Sequence, residues 1–177
     1  MIASWPQMRS WLLSWETMAV TDIPGDPGGQ TAGGISRRYH PQARVWRLVE
    51  GGVTDGPEYE AAVNDFYDEQ YQAAFEMLPR RLRAVYTDTA VNMGRTYATQ
   101  CLQDALCRIA GTEYVDIDGV MGPQTETAVK HCDPSAVAFA MCAIRLAEYG
   151  RKARRGDDRR AFLDGWINRV RDLMGVI

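Results

Sequence analysis

The sequence predicts a mainly α-helical protein with few or no strands, and three observations carry that expectation. Apolar residues recur at spacings of three and four along most of the chain, the mark of one-sided helices. Prolines and glycines stand where helices begin and end. Strand-like alternation is sparse, and the main interruption is one glycine- and proline-rich stretch near the N-terminus.

The 177 residues, 46% hydrophobic and 24% charged, are enough to bury a real core. A net charge of −3 excludes a protein built to coat nucleic acid. No apolar run approaches the ~20 residues of a membrane span, so no stable membrane insertion is expected.

Residues 4–19 read as the first helix. Ser4 and Gln7 fit a capping box, and Pro6 falls in the first turn, where its missing N–H costs nothing. Trp5, Met8, Leu12, Trp15 and Ala19 make one apolar stripe, and Glu16 borders it. A carboxyl so placed is partly desolvated, which favours its protonated form. Residues 20–36 hold two prolines and five glycines and are expected to be neither regular helix nor strand. A short helix broken at Pro41 fits 37–49, and 51–57 reads as a turn.

Tyr59, Ala62, Val63, Phe66 and Tyr67 start a helix at 58 that runs to about 76. Pro79 permits a fresh start, Leu82, Val85, Tyr86, Thr89 and Ala90 continue the period to Met93, and Gly94 breaks it. The clearest helix covers 95–109, with Ala98, Leu102, Ala105, Leu106 and Ile109 as its stripe, Asp104 and Arg108 pairing across a turn, and Gly111 as the stop. Asp116-Ile-Asp118-Gly119 has the start of a calcium loop. Its fifth-position ligand and closing glutamate are out of place, so it is read as a turn that presents Gly122-Pro123 as a helix start. Further helices are expected from 123 through 129, at 136–149 and at 159–174.

The candidate chemistry concentrates between residues 16 and 36. Glu16 ends an apolar, Trp-rich segment, and Asp22, Asp26 and Thr31 follow in the glycine-rich stretch. An acid beside a hydrophobic wall, with ionised carboxylates a turn away, suits protonation of a glycosidic oxygen. Loop N–H groups would keep a second carboxylate ionised to support positive charge or orient water. Two plainer readings stand beside this one: Glu16 as a solvated helix glutamate, and Asp26-Pro-Gly-Gly as a simple tight turn. The stretch is not a phosphate cradle, because it has no G-x-x-x-x-G-K-[ST] and no preceding strand.

His40 beside Tyr39 reads either as a surface histidine or as the lining of a sugar cleft. With only His40 and His131, a histidine-based metal site or triad has too few parts, and no metal or cofactor is expected. Cys101, Cys107, Cys132 and Cys142 form no C-x-x-C pair; they read as reduced core thiols, with one disulfide as the alternative. The basic cluster at 151–160, interrupted by two aspartates, reads as a solvated inter-helix turn or as a weak contact for an anionic surface. The start of the chain lacks the basic region and apolar core of a signal peptide.

Four ordered blocks resemble glycoside hydrolase family 108, the N-acetylmuramidases of phage endolysins and related bacterial enzymes. They are Glu16 with Asp22, Asp26-Pro-Gly-Gly-Gln-Thr31 and Gly34-Ile-Ser36; Asp88-Thr-Ala-Val-Asn92-Met-Gly94; Leu102-Gln-Asp-Ala-Leu106 with Asp118-Gly-Val-Met-Gly-Pro-Gln-Thr125; and Phe162-Leu-Asp-Gly-Trp166-Ile-Asn168-Arg169-Val. The resemblance implies a compact, lysozyme-like helical fold with a glycine-rich active-site loop. It divides the chain into a catalytic lobe at 1–94 and a peptidoglycan-binding-like helical lobe at 95–177 that share one core. Glu16 carries over as the catalytic residue, with Asp22, Asp26 and Thr31 in the cleft and Gly34, Tyr39, His40, Asp88 and Asn92 as substrate contacts.

The implied reaction is cleavage of the β-1,4 bond between N-acetylmuramic acid and N-acetylglucosamine, by a monomer without cofactor. The enzyme would be made in the cytoplasm and reach the cell wall by holin-type release or in a particle. Where the family has Gly-Gly-Tyr after its glutamate, this chain has Thr17-Met18-Ala19, and it has one extra residue between Asp22 and Asp26. Those departures motivate the alternative of a non-catalytic peptidoglycan-binding protein. A helical interaction protein with a coincidental turn is the third reading.

Overall fold

The structure is a computed structural model that describes residues 1–22, 29–111, 114–154 and 162–177. The described residues form eight helices and one small three-stranded sheet, so the chain is mainly α as its apolar spacing requires. Two compact units emerge: Ser4–Ala73, and Met1–Ala3 together with Ala74–Ile177.

The first unit opens with α1 (Trp5–Trp15), whose N-cap Ser4 donates its backbone N–H to the Gln7 side chain at 3.3 Å. Trp5, Met8 and Leu12 are buried, and the Trp5 indole donates to Asp68. The helix stops at Trp15, short of the expected residue 19. Thr17 is the local reason: its hydroxyl accepts the Ala19 N–H at 3.2 Å, a closure that competes with continued helix. Glu16 is therefore the C-cap, in extended conformation (φ −97°, ψ 138°).

Residues 20–36 do contain strands, contrary to expectation. β1 (Val20–Thr21) pairs antiparallel with β2 (Thr31–Ala32), and β2 with β3 (Ile35–Ser36). Gly33 and Gly34, at φ +56° and +77°, are the two central residues of the β2–β3 hairpin. Positive φ at both positions is the requirement of the tight turn whose twist matches antiparallel strands, and glycine meets it without strain. The same glycines that argued against regular structure thus make it possible. α2 (Arg44–Glu50) starts beyond Pro41, and α3 (Gly56–Met77) supplies the surface beneath the hairpin.

The second unit contains α4 (Arg80–Met93), α5 (Arg95–Ala110), α6 (Pro123–His131), α7 (Pro134–Arg154) and α8 (Leu163–Val176). α4, α5 and α7 pack against one another, α8 covers α7 and touches α4, and α6 lies on α5. The helix α4, which the sequence places in the first lobe, thus packs within the second unit. Leu82, Leu102, Leu106, Met141, Val170 and Leu173 are fully enclosed, each stabilising by about 1.5–3 kcal/mol on burial. Cys101 and Cys142 are buried free thiols and Cys107 and Cys132 are half-buried ones.

The Asp118 turn is held by Gln103. Its amide nitrogen donates to Asp118 Oδ1 at 2.8 Å, its amide oxygen accepts the Gly119 N–H at 2.9 Å, and Asp118 also accepts the Val120 N–H at 2.8 Å. Gly122 then caps α6 with Pro123 in its first turn, as the sequence implies.

Candidate active site

Glu16 is half-buried at the end of α1, and its carboxylate lies against the Gly33–Gly34 turn. A Cβ built on Gly34 would come within 2.9 Å of Glu16 Cγ and Oε2 and 2.6 Å of the Tyr67 hydroxyl. Only glycine fits there. The backbone of the hairpin can approach the acid because residue 34 has no side chain. At Gly33 the corresponding atom would strike the Val63 side chain at 2.6 Å.

One face of α3 organises this region. Tyr59 donates its hydroxyl to Met18 O at 2.9 Å, Val63 packs on Gly33, and Tyr67 donates to Gly33 O at 3.1 Å. The spacing of four puts all three on one stripe. Burial pushes the Tyr59 phenol up, partly offset by the Gly33 backbone. In the sequence these residues stand out only as the stripe of a helix. The signal available was that two members of the buried stripe carry hydroxyls, which need partners when enclosed.

Thr31 and Thr21 face each other across β1–β2 with hydroxyl oxygens 2.6 Å apart. Asp22 follows β1 directly and is exposed. Asp26 lies outside the described residues. Glu16, Thr31, Gly34 and Asp22 thus belong to one small region formed by the end of α1 and the sheet.

Tyr39 and His40 line a neighbouring groove of about 450 Å³ with Gln42, Arg44, Phe66 and Gln70. Tyr39 is 64% exposed, whereas the His40 ring meets Phe66 edge-on at 4.8 Å. Phe66 in turn meets Tyr67 edge-on at 5.6 Å, so the groove and the Glu16 region share a continuous aromatic wall.

Asp88 and Asn92 have a different environment. Asp88 is completely buried in the second unit between Arg145 and Arg169, at 2.8 and 2.7 Å. A carboxylate enclosed by two guanidinium groups has no open face for a sugar, which corrects its expected role as a substrate contact. The Asn92 side chain accepts a hydrogen bond from Tyr149 at 3.0 Å, and Tyr149 receives one from Arg145 at 3.1 Å. Arg145 stays charged because Asp88 and Tyr149 outweigh the penalty of burial and hold its pKa above the ordinary value. In the basic cluster Arg151 pairs with Glu148, and residues 155–160 lie outside the described residues. Among the described residues, no group of three or more His, Cys, Asp or Glu side chains is arranged to hold a metal ion. No described helix is long and apolar enough to cross a membrane.

A family model described as Glycosyl hydrolase 108 matches residues 9–94, and one described as Predicted Peptidoglycan domain matches residues 97–171. The solved structure of Brucella abortus SagA is similar over 96% of this chain and 91% of that one, with a TM-score of 0.69 and 26% sequence identity. No curated protein matches. Glu16 and its hairpin fall inside the first matched region, and the Gln103–Asp118 turn falls inside the second. The two regions occur in the order that the four sequence blocks anticipate, on a shared helical fold. Residues 9–94 thus carry a glycoside hydrolase family 108 domain, that of a lysozyme-like peptidoglycan hydrolase, and residues 97–171 a peptidoglycan-binding domain.

Proposed function

We propose that the protein is an N-acetylmuramidase that cleaves the β-1,4 bond between N-acetylmuramic acid and N-acetylglucosamine, with Glu16 as the general acid. The observation that carries this reading is the seat of Glu16, half-buried at the end of α1 and against a turn that only glycine permits. A carboxyl held there is shielded on its hairpin side and offers a proton from a fixed position, the condition for protonating a leaving glycosidic oxygen.

Asp22 or Asp26 supplies the second carboxylate, which supports the oxocarbenium-like transition state or activates water. Thr31, held through Thr21, orients that water. Gly34 lets the glycan approach the acid, while Tyr39 and His40 contact sugar in the adjoining groove. The domain at 97–171 retains the enzyme on its polymer, and the enzyme works as a monomer of endolysin type, reaching the wall by holin-type release or in a particle.

The test is digestion of purified sacculi with mass analysis of the products. Wild-type protein should release muropeptides with muramic acid at the reducing end, and Glu16→Gln should release none while its circular dichroism is unchanged. Reducing N-acetylglucosamine ends would reassign the bond cleaved. Undiminished release by Glu16→Gln would remove Glu16 from the mechanism. Sedimentation with sacculi and no release by the wild type would favour a binding protein without turnover.

A further inference from the structure

Two residues at the start of α8 run against what the helix itself favours. Phe162 is the N-cap, where its ring makes no capping hydrogen bond, and it is 54% exposed. A side-chain oxygen would stabilise that helix end, and a phenyl ring left half in water recovers little by burial. Gly165 lies within the helix and is exposed, and a Cβ built on it meets nothing within 4 Å. Alanine would fit there and favour the helix. Helix stability calls for neither residue.

Both belong to the outer end of a stack of three rings. At spacings of three and four, Phe162, Gly165 and Trp166 share one face of α8. The Trp166 ring lies along Phe162, with centroids 6.1 Å and planes 26° apart, and along Tyr149 of α7, at 4.9 Å and 21°. Exposure falls from 54% at Phe162 to 1% at Tyr149, so the stack runs from the surface into the core. Its inner end is fixed, because the Tyr149 hydroxyl donates to Asn92 at 3.0 Å and accepts from Arg145 at 3.1 Å. Rings held from beneath have little freedom left to lose when a ligand lies on them.

The face of an aromatic ring is electron-rich and attracts the weakly positive C–H groups of a flat partner. The β-1,4-linked pyranoses of peptidoglycan are such partners, with axial C–H groups on both faces of each ring. We infer that Phe162 and Trp166 form a sugar-stacking site of the peptidoglycan-binding domain, and that Gly165 leaves the helix backbone bare so that a glycan strand can lie close along it. All three residues fall within the matched region 97–171. The inference rests on the reading that this domain retains the enzyme on its polymer, and adds where and by what chemistry it does so. The group recognised is the saccharide ring rather than the stem peptide, and no ion pair takes part.

The experiment measures sedimentation of the full-length Glu16→Gln protein with purified sacculi on ice, alone and combined with Phe162→Ala, Phe162→Tyr or Gly165→Ala. Phe162→Ala should weaken binding about two- to tenfold, the range for one lost aromatic contact, and Phe162→Tyr, which keeps a ring, should not. Gly165→Ala should raise Tm by about 1–4 °C and yet weaken binding, two opposite changes that a merely structural role would not produce. Soluble glycan strands freed of stem peptides should compete with sacculi, and high salt should leave binding in place. Undiminished binding by Phe162→Ala or Gly165→Ala would overturn the inference and leave retention by the domain standing, as would strands that fail to compete or binding abolished by salt. No sedimentation by the Glu16→Gln protein itself would overturn both.

Discussion

The charge centre around Asp88 allows a sharp prediction, because two buried arginines share that carboxylate. Arg145 and Arg169 are 0% and 6% exposed, and both pair with Asp88, itself 0% exposed. Arg169 Nε donates to Asp88 Oδ1 at 2.8 Å. Arg145 Nη1 lies 2.8 Å from Oδ2 but off the hydrogen-bond direction, so that attraction is chiefly electrostatic. Replacing Asp88 by Asn removes the carboxylate that the two buried guanidinium groups share. Removing one partner of a buried pair costs about 3–5 kcal/mol, and here the lost carboxylate serves two cations.

Replacing Arg169 by Met instead leaves Asp88 and Arg145 as a one-to-one pair, and the loss is that of a charged hydrogen bond, ~1.5–3 kcal/mol. At ~2–4 °C per kcal/mol for a chain of this size, Asp88→Asn should lower Tm by about 6–20 °C. Urea unfolding followed by circular dichroism should place Asp88→Asn well below Arg169→Met, with equal m values. If the order is reversed, or both variants lose less than ~1 kcal/mol, loss of the shared carboxylate does not leave buried charge uncompensated, and the two guanidinium groups have found water or another partner.

Other consequences are open to direct measurement. Burial pushes the Cys101 thiol up to about 12 and Cys142 to about 11, so native protein at pH 8 should resist thiol-labelling reagents at both and lose that resistance in urea. Asp118 titrates below its ordinary range, because the Val120 N–H and the Gln103 amide favour its ionised form. A depressed carboxyl stabilises above its unfolded pKa of ~3.9 and ceases to as pH falls through the folded value. Protection of the Val120 amide against hydrogen exchange should therefore weaken below about pH 4, and Asp118→Asn should erase that dependence. Gly33→Ala forces a methyl into Val63 at 2.6 Å with φ at +56°, and should cost at least ~1 kcal/mol together with activity. Gly33→Ala with wild-type stability and turnover would mean that the hairpin can shift freely on α3.

The helices were legible because their stripes and stops are local. Gly94 and Gly111 end α4 and α5 as the pattern implies, and Gly122-Pro123 starts α6. The end of α1 was not legible, since it depends on the Thr17 hydroxyl and on a phenol at position 59, 41 residues from its acceptor. The hairpin was hidden for a related reason. Glycine signals a turn but does not say whether the flanking two-residue strands will find partners. At the candidate site, Glu16 and the glycine-rich loop lie close together in the sequence and could be singled out there, whereas Tyr67 could not, because its contact with Gly33 spans 34 residues. Asp88 illustrates the opposite error: in a string, a carboxylate destined for a sugar and one destined for two buried arginines look alike.

The segment Thr17-Met18-Ala19, where the resembled family has Gly-Gly-Tyr, acquires a structural account from these contacts. Thr17 closes the chain on Ala19, and the Met18 carbonyl is tied to Tyr59, so the segment ends α1 and fastens the following strand to α3. Met18 and Ala19 line a separate depression of about 500 Å³ with Thr54, Asp55, Tyr59 and Glu60. The space beside the acid, by contrast, is bounded by the hairpin glycine and by Tyr67. A substitution at 17–19 therefore acts on Glu16 through where the helix stops rather than by filling that space. Extending the helix by even one turn would carry residue 16 into helical conformation and draw the carboxyl away from Gly34.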